Sequence, residues 1–247
     1  MTFEVFKLTF RTPLHLSRGK IGSYESSASV LHSDKLKSAL YATAVQLFGS
    51  PPEKEEAIIA GDSDGQVEHI ANVILKKIRI SSAFPFDARG YWLPRPLSFQ
   101  PKPDNPKQRK ALKQIRYLNS EQFEQVARGE QPANLLSVAQ PEVWAREVTQ
   151  RVKVSYEADS EPFYLEKLYA RPEAGLYFIV EKDEDLLDED WKKFNAVLRL
   201  LGDNGIGLQR ALGNGQFTPA ADSFAMNLPE SATNWMALSL YRPVEPA

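Results

Sequence analysis

An α+β fold of the ferredoxin-like, RRM-like kind, with an antiparallel sheet, helices on one face and long insertions, is predicted from three observations. The predicted elements run strand, helix, insertion, strand hairpin, helix, glycine loop and strand, a βαββαβ order once the insertions are set aside. Two segments carry apolar residues at helical spacing, and the stretches that precede and follow them alternate or cluster branched and aromatic residues as strands do.

The elements follow in order. Phe3 to Phe10 is rich in aromatic and branched residues on both faces, which suits a strand with little exposed area, and Pro13 ends it. Arg11 to Val30 is polar, contains Arg18, Gly19, Lys20 and Gly22, and reads as a long loop. Ser33 is the expected N-cap of a helix in which Leu36, Leu40, Ala44 and Leu47 share a face before Gly49. Pro51 to Leu75 reads as two shorter helices broken at Gly61–Gly65, and Lys77 to Ala83 as a strand. From Pro85 to Pro106 the prolines argue for an irregular insertion. Arg151 to Tyr156 alternates, with Val152, Val154 and Tyr156 expected inward and Arg151 and Lys153 outward as a cationic strand face. Tyr164–Tyr169 and Leu176–Glu181 are expected to form a hairpin around Pro172–Gly175. Asp188 is expected to cap a helix carrying Trp191, Phe194, Leu198 and Leu201 and ending at Gly202, and Met236, Leu238 and Leu240 alternate as in a last strand.

Composition narrows the function classes. The 247 residues are 43% hydrophobic and 25% charged, ordinary for a folded domain. With 30 Lys+Arg against 32 Asp+Glu the net charge is −2, so any nucleic-acid site must be local. The absence of cysteine excludes disulfides, thiolate nucleophiles and cysteine metal sites, and only 3 histidines are present. Neither a signal segment nor a membrane-spanning apolar run is found, so a cytoplasmic location is expected, with no membrane partner, metal or cofactor.

Five of the 13 glycines fall between Gly202 and Gly215, directly after a helix and before a strand. Glycines allow backbone amides to approach a ligand closely, and Arg210 adds a charged donor, so this loop can cradle phosphate oxygens; the plainer reading is a flexible connector. A nucleotide fingerprint does not fit, since Arg210 stands where the dinucleotide motif needs glycine and Leu208 follows Gly207 where the Walker motif needs lysine. His15 and His32 lie at the end of the first strand and the start of the first helix, where two imidazoles could cleave RNA without metal, or could merely bond locally or contact RNA. His69 has the weaker claim, Asp62-Ser-Asp64-Gly65 reads as a turn, and the acidic run Glu181–Asp190 as a solvated helix start. From Arg89 to Arg116 eight cations face only Asp104, with Tyr91, Trp92, Phe99 and, just beyond, Tyr117 among them. That pairing suits single-stranded RNA, or equally a protein-contact surface.

The loop Gly205-Ile-Gly-Leu-Gln-Arg-Ala-Leu-Gly-Asn-Gly-Gln-Phe217 resembles the signature of the RAMP superfamily of CRISPR-associated proteins. With Pro13-Leu-His-Leu16, Leu31-His-Ser-Asp-Lys-Leu-Lys-Ser-Ala-Leu40, Phe84-Pro-Phe through Leu97 and Met236–Pro243, the chain is similar, colinearly and over essentially its whole length, to the family that supplies the fourth subunit of the type III-A interference complex.

The resemblance implies a non-catalytic RNA-binding subunit that grips the 5′ tag of crRNA, docks the large polymerase-like subunit, and abuts the backbone RAMP subunits that cleave target RNA. It implies tag contacts at Gly205, Gly207, Arg210, Gly213 and Gly215, with His15, Arg18 and Lys20 along the same groove. The alternative is a metal-independent crRNA-processing endoribonuclease, an activity found among RAMP relatives. In domain terms it implies an elaborated RRM-like RAMP domain over 1–228, holding the basic Pro-rich insertion (about 84–118) and the glycine-rich loop (202–217), and at 229–247 the start of a second ferredoxin-like domain, cut short at Ala247.

Overall fold

The computed structural model describes residues 1–21, 24–51, 68–103, 106, 108–153, 160–231 and 235–240. Strand β1 (Thr2–Phe10) lies inside the main sheet, as its two apolar faces require. On one side it pairs along its whole length with β11 (Phe217–Ala225), from Thr2 opposite Ala225 to Phe10 opposite Phe217. On the other it pairs with β10 (Gly175–Lys182), whose far edge meets β4 (Ile78–Ile80). All these pairings are antiparallel, and the order β11-β1-β10-β4 is the ferredoxin-like sheet predicted above.

Helices α1 (Ser33–Phe48), α2 (Ile70–Lys76) and α5 (Asp188–Asn204) cover one face. Their Leu36, Leu40, Ile74, Phe194, Leu198 and Leu201 pack on Phe6, Leu8, Leu176 and Phe178. The predicted helical stripes line the core except at Leu47, which is 43% exposed near the end of α1, and Phe6 is stacked on Phe178 and edge-on to Phe194. The caps differ in detail. α1 is capped by His32 without a side-chain bond; the Ser33 hydroxyl instead accepts from the Leu240 amide at 3.0 Å. α5 runs past Gly202 to Asn204, and Gly205 at φ +78° ends it.

The other face of the sheet is closed by β5 (Phe84–Asp87) and β6 (Gly90–Pro94), which extend the sheet from β10. Tyr91 stacks on Phe224 and meets Tyr177 edge-on, both at 4.7 Å, and its hydroxyl donates to Asp222 at 2.7 Å. Lys7 also pairs with Asp222, at 2.8 Å. Burial pushes the Tyr177 and Tyr91 hydroxyls far above the ordinary phenol range, the Asp222 carboxylate adding to the effect at Tyr91. An RRM stacks bases on this face of its sheet; here protein aromatics occupy it.

Several expectations are corrected. The region from Arg11 to Val30 is not a loop throughout: β2 (Ser17–Ile21) and β3 (Tyr24–Ser27) pair as a hairpin in a second sheet, which β8 (Trp144–Lys153) and β9 (Glu161–Ala170) complete in the order β2-β3-β9-β8. β8 and β9 pair along their lengths, but β9 does not pair with β10. Pro172–Gly175 is thus a crossing from one sheet to the other, because Leu168 bridges to Leu14 while Gly175 opens the strand beside β1. Val152 is 54% exposed, so the predicted inward face of β8 rests on no core at that point. The basic insertion is ordered, with α3 (Gln108–Gln114), β7 (Tyr117–Asn119) and α4 (Ser120–Ala127) closing a small core of Leu112, Ile115, Leu118 and Leu135. Residues 235–240 form no strand; Leu238 packs against the aromatic cluster and its carbonyl accepts from Ser82. The first of the two short helices expected between Pro51 and Leu75, and the turn Asp62–Gly65, lie outside the described residues.

Candidate nucleic-acid interface

The glycine loop is a built structure. Leaving α5, the chain turns at Gly205, and the Ile206 amide donates to the Gly215 carbonyl at 3.0 Å, closing the base of the loop. The stem then docks on the segment after β1: Gly215 donates to the Pro13 carbonyl at 2.8 Å and Leu208 to the His15 carbonyl at 2.9 Å. A Cβ at Gly207 would lie 2.5 Å from the His15 carbonyl oxygen, and one at Gly215 would overlap Ile206, so both glycines are required by close approach as well as by positive φ.

Beyond this stem the crest makes a single 3-10 turn, Arg210–Leu212, entered by Gln209 at φ +60° and left by Gly213 at φ +78°. The amides of Leu212, Gly213 and Asn214 are spent on this turn. Those of Gly207, Gln209 and Arg210 have no hydrogen-bond partner among the described residues. Arg210 is exposed and has no carboxylate partner among the described residues. An open groove of about 550 Å³ runs beside the crest, lined by Gln46, Asn204, Gly207, Leu208, Gln209, Arg210 and Ala211. Amides and a guanidinium without partners beside a polar groove are donors of the kind that can hold an anion.

The expected site residues divide by position. Arg210 and Gly213 belong to the crest, and Gly207 lies just below it against the His15 carbonyl. Gly205 and Gly215 are buried in the stem, where they shape the loop from beneath. His15 is corrected: its ring is wholly buried, so it cannot line a groove. Its Nδ1 lies 2.7 Å from the Glu166 carbonyl oxygen and must donate to it, while its own carbonyl holds the Leu208 amide. His15 therefore fastens the loop to β9. His32 is exposed at the start of α1. A buried ring bonded to β9 and an exposed helix cap do not make the catalytic pair considered from sequence. His69 caps α2, accepting from the Ala71 amide at 3.2 Å.

Arg18 is exposed on β2, and Lys20 lies on the same strand with its side chain outside the described residues. Arg151 and Lys153 are exposed near the end of β8. On neighbouring β9, burial and then the nearby Arg151 push the Lys167 ammonium below its ordinary range. The feature that sequence reasoning missed is the joint below the loop: the Leu14–Leu168 bridge, and Glu166 accepting from the Ser27 amide at 2.8 Å and pairing with Arg146 at 3.0 Å. Glu166 and Arg146 lie 20 residues apart on neighbouring strands, a register no local motif announces.

No group of three or more His, Cys, Asp or Glu residues able to hold a metal ion is found among the described residues. No helix among them is long and apolar enough to cross a membrane.

The antiparallel sheet, its cover of three helices and the glycine-rich loop after the last helix define a protein of the ferredoxin-like fold. Within that class the chain is Csm4-like. It is 27% identical over 186 residues to the CRISPR system Cms protein Csm4 of Thermococcus onnurineus (strain NA1), a match over 71% of this chain and 62% of that protein. The chain thus spans less than two thirds of the length of this relative. Among solved structures it resembles a chain of the Csm1-Csm4 cassette in complex with cA4, at TM-score 0.59 and 21% identity, covering 94% of this chain and 73% of the other. It also resembles a chain of the Csm3-Csm4 subcomplex of the type III-A CRISPR-Cas interference complex, at TM-score 0.53 and 18% identity, covering 93% and 70%. No protein-family model matches.

Proposed function

We propose that this protein is a non-catalytic, cytoplasmic subunit of a type III-A CRISPR effector complex, where it holds the 5′ tag of crRNA and docks a large polymerase-like subunit and a backbone RAMP subunit. One observation carries the reading: at and beside the loop crest the amides of Gly207, Gln209 and Arg210 and the exposed Arg210 guanidinium have no partners among the described residues, above a stem hydrogen-bonded to the body. Such a surface suits the phosphates of a short strand and needs no reacting group. The likeness to Csm4 supports the placement in a complex. Arg18, Lys20, Arg151 and Lys153 are proposed to track the strand beyond the loop. The region over 1–228 is proposed as the RAMP domain, with 229 onward leading into a second one.

The test is reconstitution with partner subunits and crRNA. Arg210→Ala is expected to leave the chain folded and to lower crRNA retention about tenfold, as loss of one charge-assisted contact would. Retention equal to wild type would overturn the reading. Cleavage of repeat RNA by the purified protein in EDTA would replace it with the endonuclease.

A further inference from the structure

We propose that the ordered basic insertion is a second binding surface, separate from the glycine loop, for the phosphate backbone of a single RNA strand. Lys102, Arg109, Lys110, Lys113 and Arg116 are all exposed, and none makes an ion pair among the described residues. Charge pairing stops on either side of this stretch: Arg89 is held by Asp87 at 2.6 Å and Arg128 by Glu124 at 3.2 Å. Within it, sequence supplies no carboxylate but Asp104. A chain of net charge −2 has acidic residues enough to neutralise such a cluster and places one, Asp104, within its sequence. Like charges gathered this closely repel one another, and a polyanion relieves that repulsion while releasing its own counterions.

The insertion also presents these charges in a fixed array. Leu112 and Ile115 anchor α3 in the small core, which leaves Arg109, Lys110 and Lys113 outward over one turn of about 5.4 Å. Arg95 donates to the Leu112 carbonyl at the end of α3. Gln140 accepts from the amides of Arg116 and Tyr117 at 2.9 Å and donates to the Tyr117 carbonyl, fixing the exit. Gln131 accepts from the Lys102 amide at 2.9 Å and donates to its carbonyl, fixing the approach. A preorganised row of cations forfeits little entropy on binding. The aromatic residues of the insertion are engaged elsewhere: Trp92 is buried, Phe99 packs on the small core, Tyr91 on Phe224, and Tyr117, next to Arg116, is half-buried in β7. The surface therefore holds phosphates without stacking bases, and binding is independent of base sequence.

The experiment titrates the purified full chain against fluorescent 20-nucleotide poly(U) and a mixed-sequence RNA by anisotropy, between 50 and 200 mM KCl. It compares wild type, Arg210→Ala and the quadruple variant Arg109→Gln, Lys110→Gln, Lys113→Gln, Arg116→Gln. These side chains are exposed and glutamine keeps helix propensity, so the variant is expected to melt with wild type. The proposal expects both RNAs to bind alike, the quadruple variant to bind about tenfold or more weakly, and its log–log salt slope to fall by about 2 to 3. An unchanged affinity and slope in the quadruple variant overturns it. Loss of binding in Arg210→Ala alone also overturns it, while leaving the loop reading intact. A poly-glutamate peptide that displaces RNA from wild type at equal charge concentration, and fails to bind the quadruple variant, assigns the surface to an acidic protein instead.

Discussion

Gly213 and Gly215 share nearly the same positive φ, +78° and +76°, yet a side chain would meet open space at the first and the Ile206 backbone at the second. Gly213→Ala is therefore expected to cost about 1 kcal/mol, the conformational strain alone, and Gly215→Ala about 3 kcal/mol or more, since backbone must move as well. Urea midpoints of the two variants check the difference. Asp222 gives a second single-residue expectation. The hydrogen bonds from Lys7 and Tyr91, then that from the Ser223 amide, hold its carboxyl at about 2, against about 3.9 in an unfolded chain. A carboxyl depressed on folding stabilises above its unfolded value and ceases to do so as pH falls through its folded one. Urea midpoints from pH 5 down to pH 2 should fall in wild type, and the part of that fall due to this group should be absent in Asp222→Asn. Because Asp222 is partly open to solvent, the effect is also expected to shrink in salt.

At the scale of elements, strands differ in what stands behind them. Val148 and Val152 are 47% and 54% exposed on β8, and their replacement by threonine is expected to change stability by less than about 0.5 kcal/mol. Phe194 is fully buried on α5, and Phe194→Ala should cost about 3 to 5 kcal/mol. Thermal unfolding of the three variants would show it. The same contrast explains what was readable. The stripes on α1 and α5 and the two-faced β1 could be identified because their periodicity reports one continuous core. The alternation of β8 reports only a strand, and nothing local says whether a core lies behind it. Likewise Pro172–Gly175 looked like a hairpin because sequence shows a turn between two strands, but not that they join different sheets. The crest of the candidate site was legible as a turn from its glycines, with Arg210 exposed on it. Its foundation was not, since His15 reaches a carbonyl 151 residues away.

For the whole molecule, the controlling feature is the separation in sequence of paired strands. β1 is flanked by β10 and β11, so Leu8 faces Leu176 on one side and Pro219 on the other. Contacts of such long sequence separation slow folding. Pulse-labelling hydrogen exchange during refolding should find β1 amides protected in the same phase as those of β10 and β11, and no earlier than those of α5. In a cell the matter is one of timing at the ribosome. β1 is made long before its two neighbours, which begin only at Gly175 and Phe217. At roughly 5 to 20 residues per second it must wait many seconds with both hydrogen-bonding edges unpaired and its apolar faces uncovered. Chaperones that shield nascent segments should therefore find a long-lived client in β1.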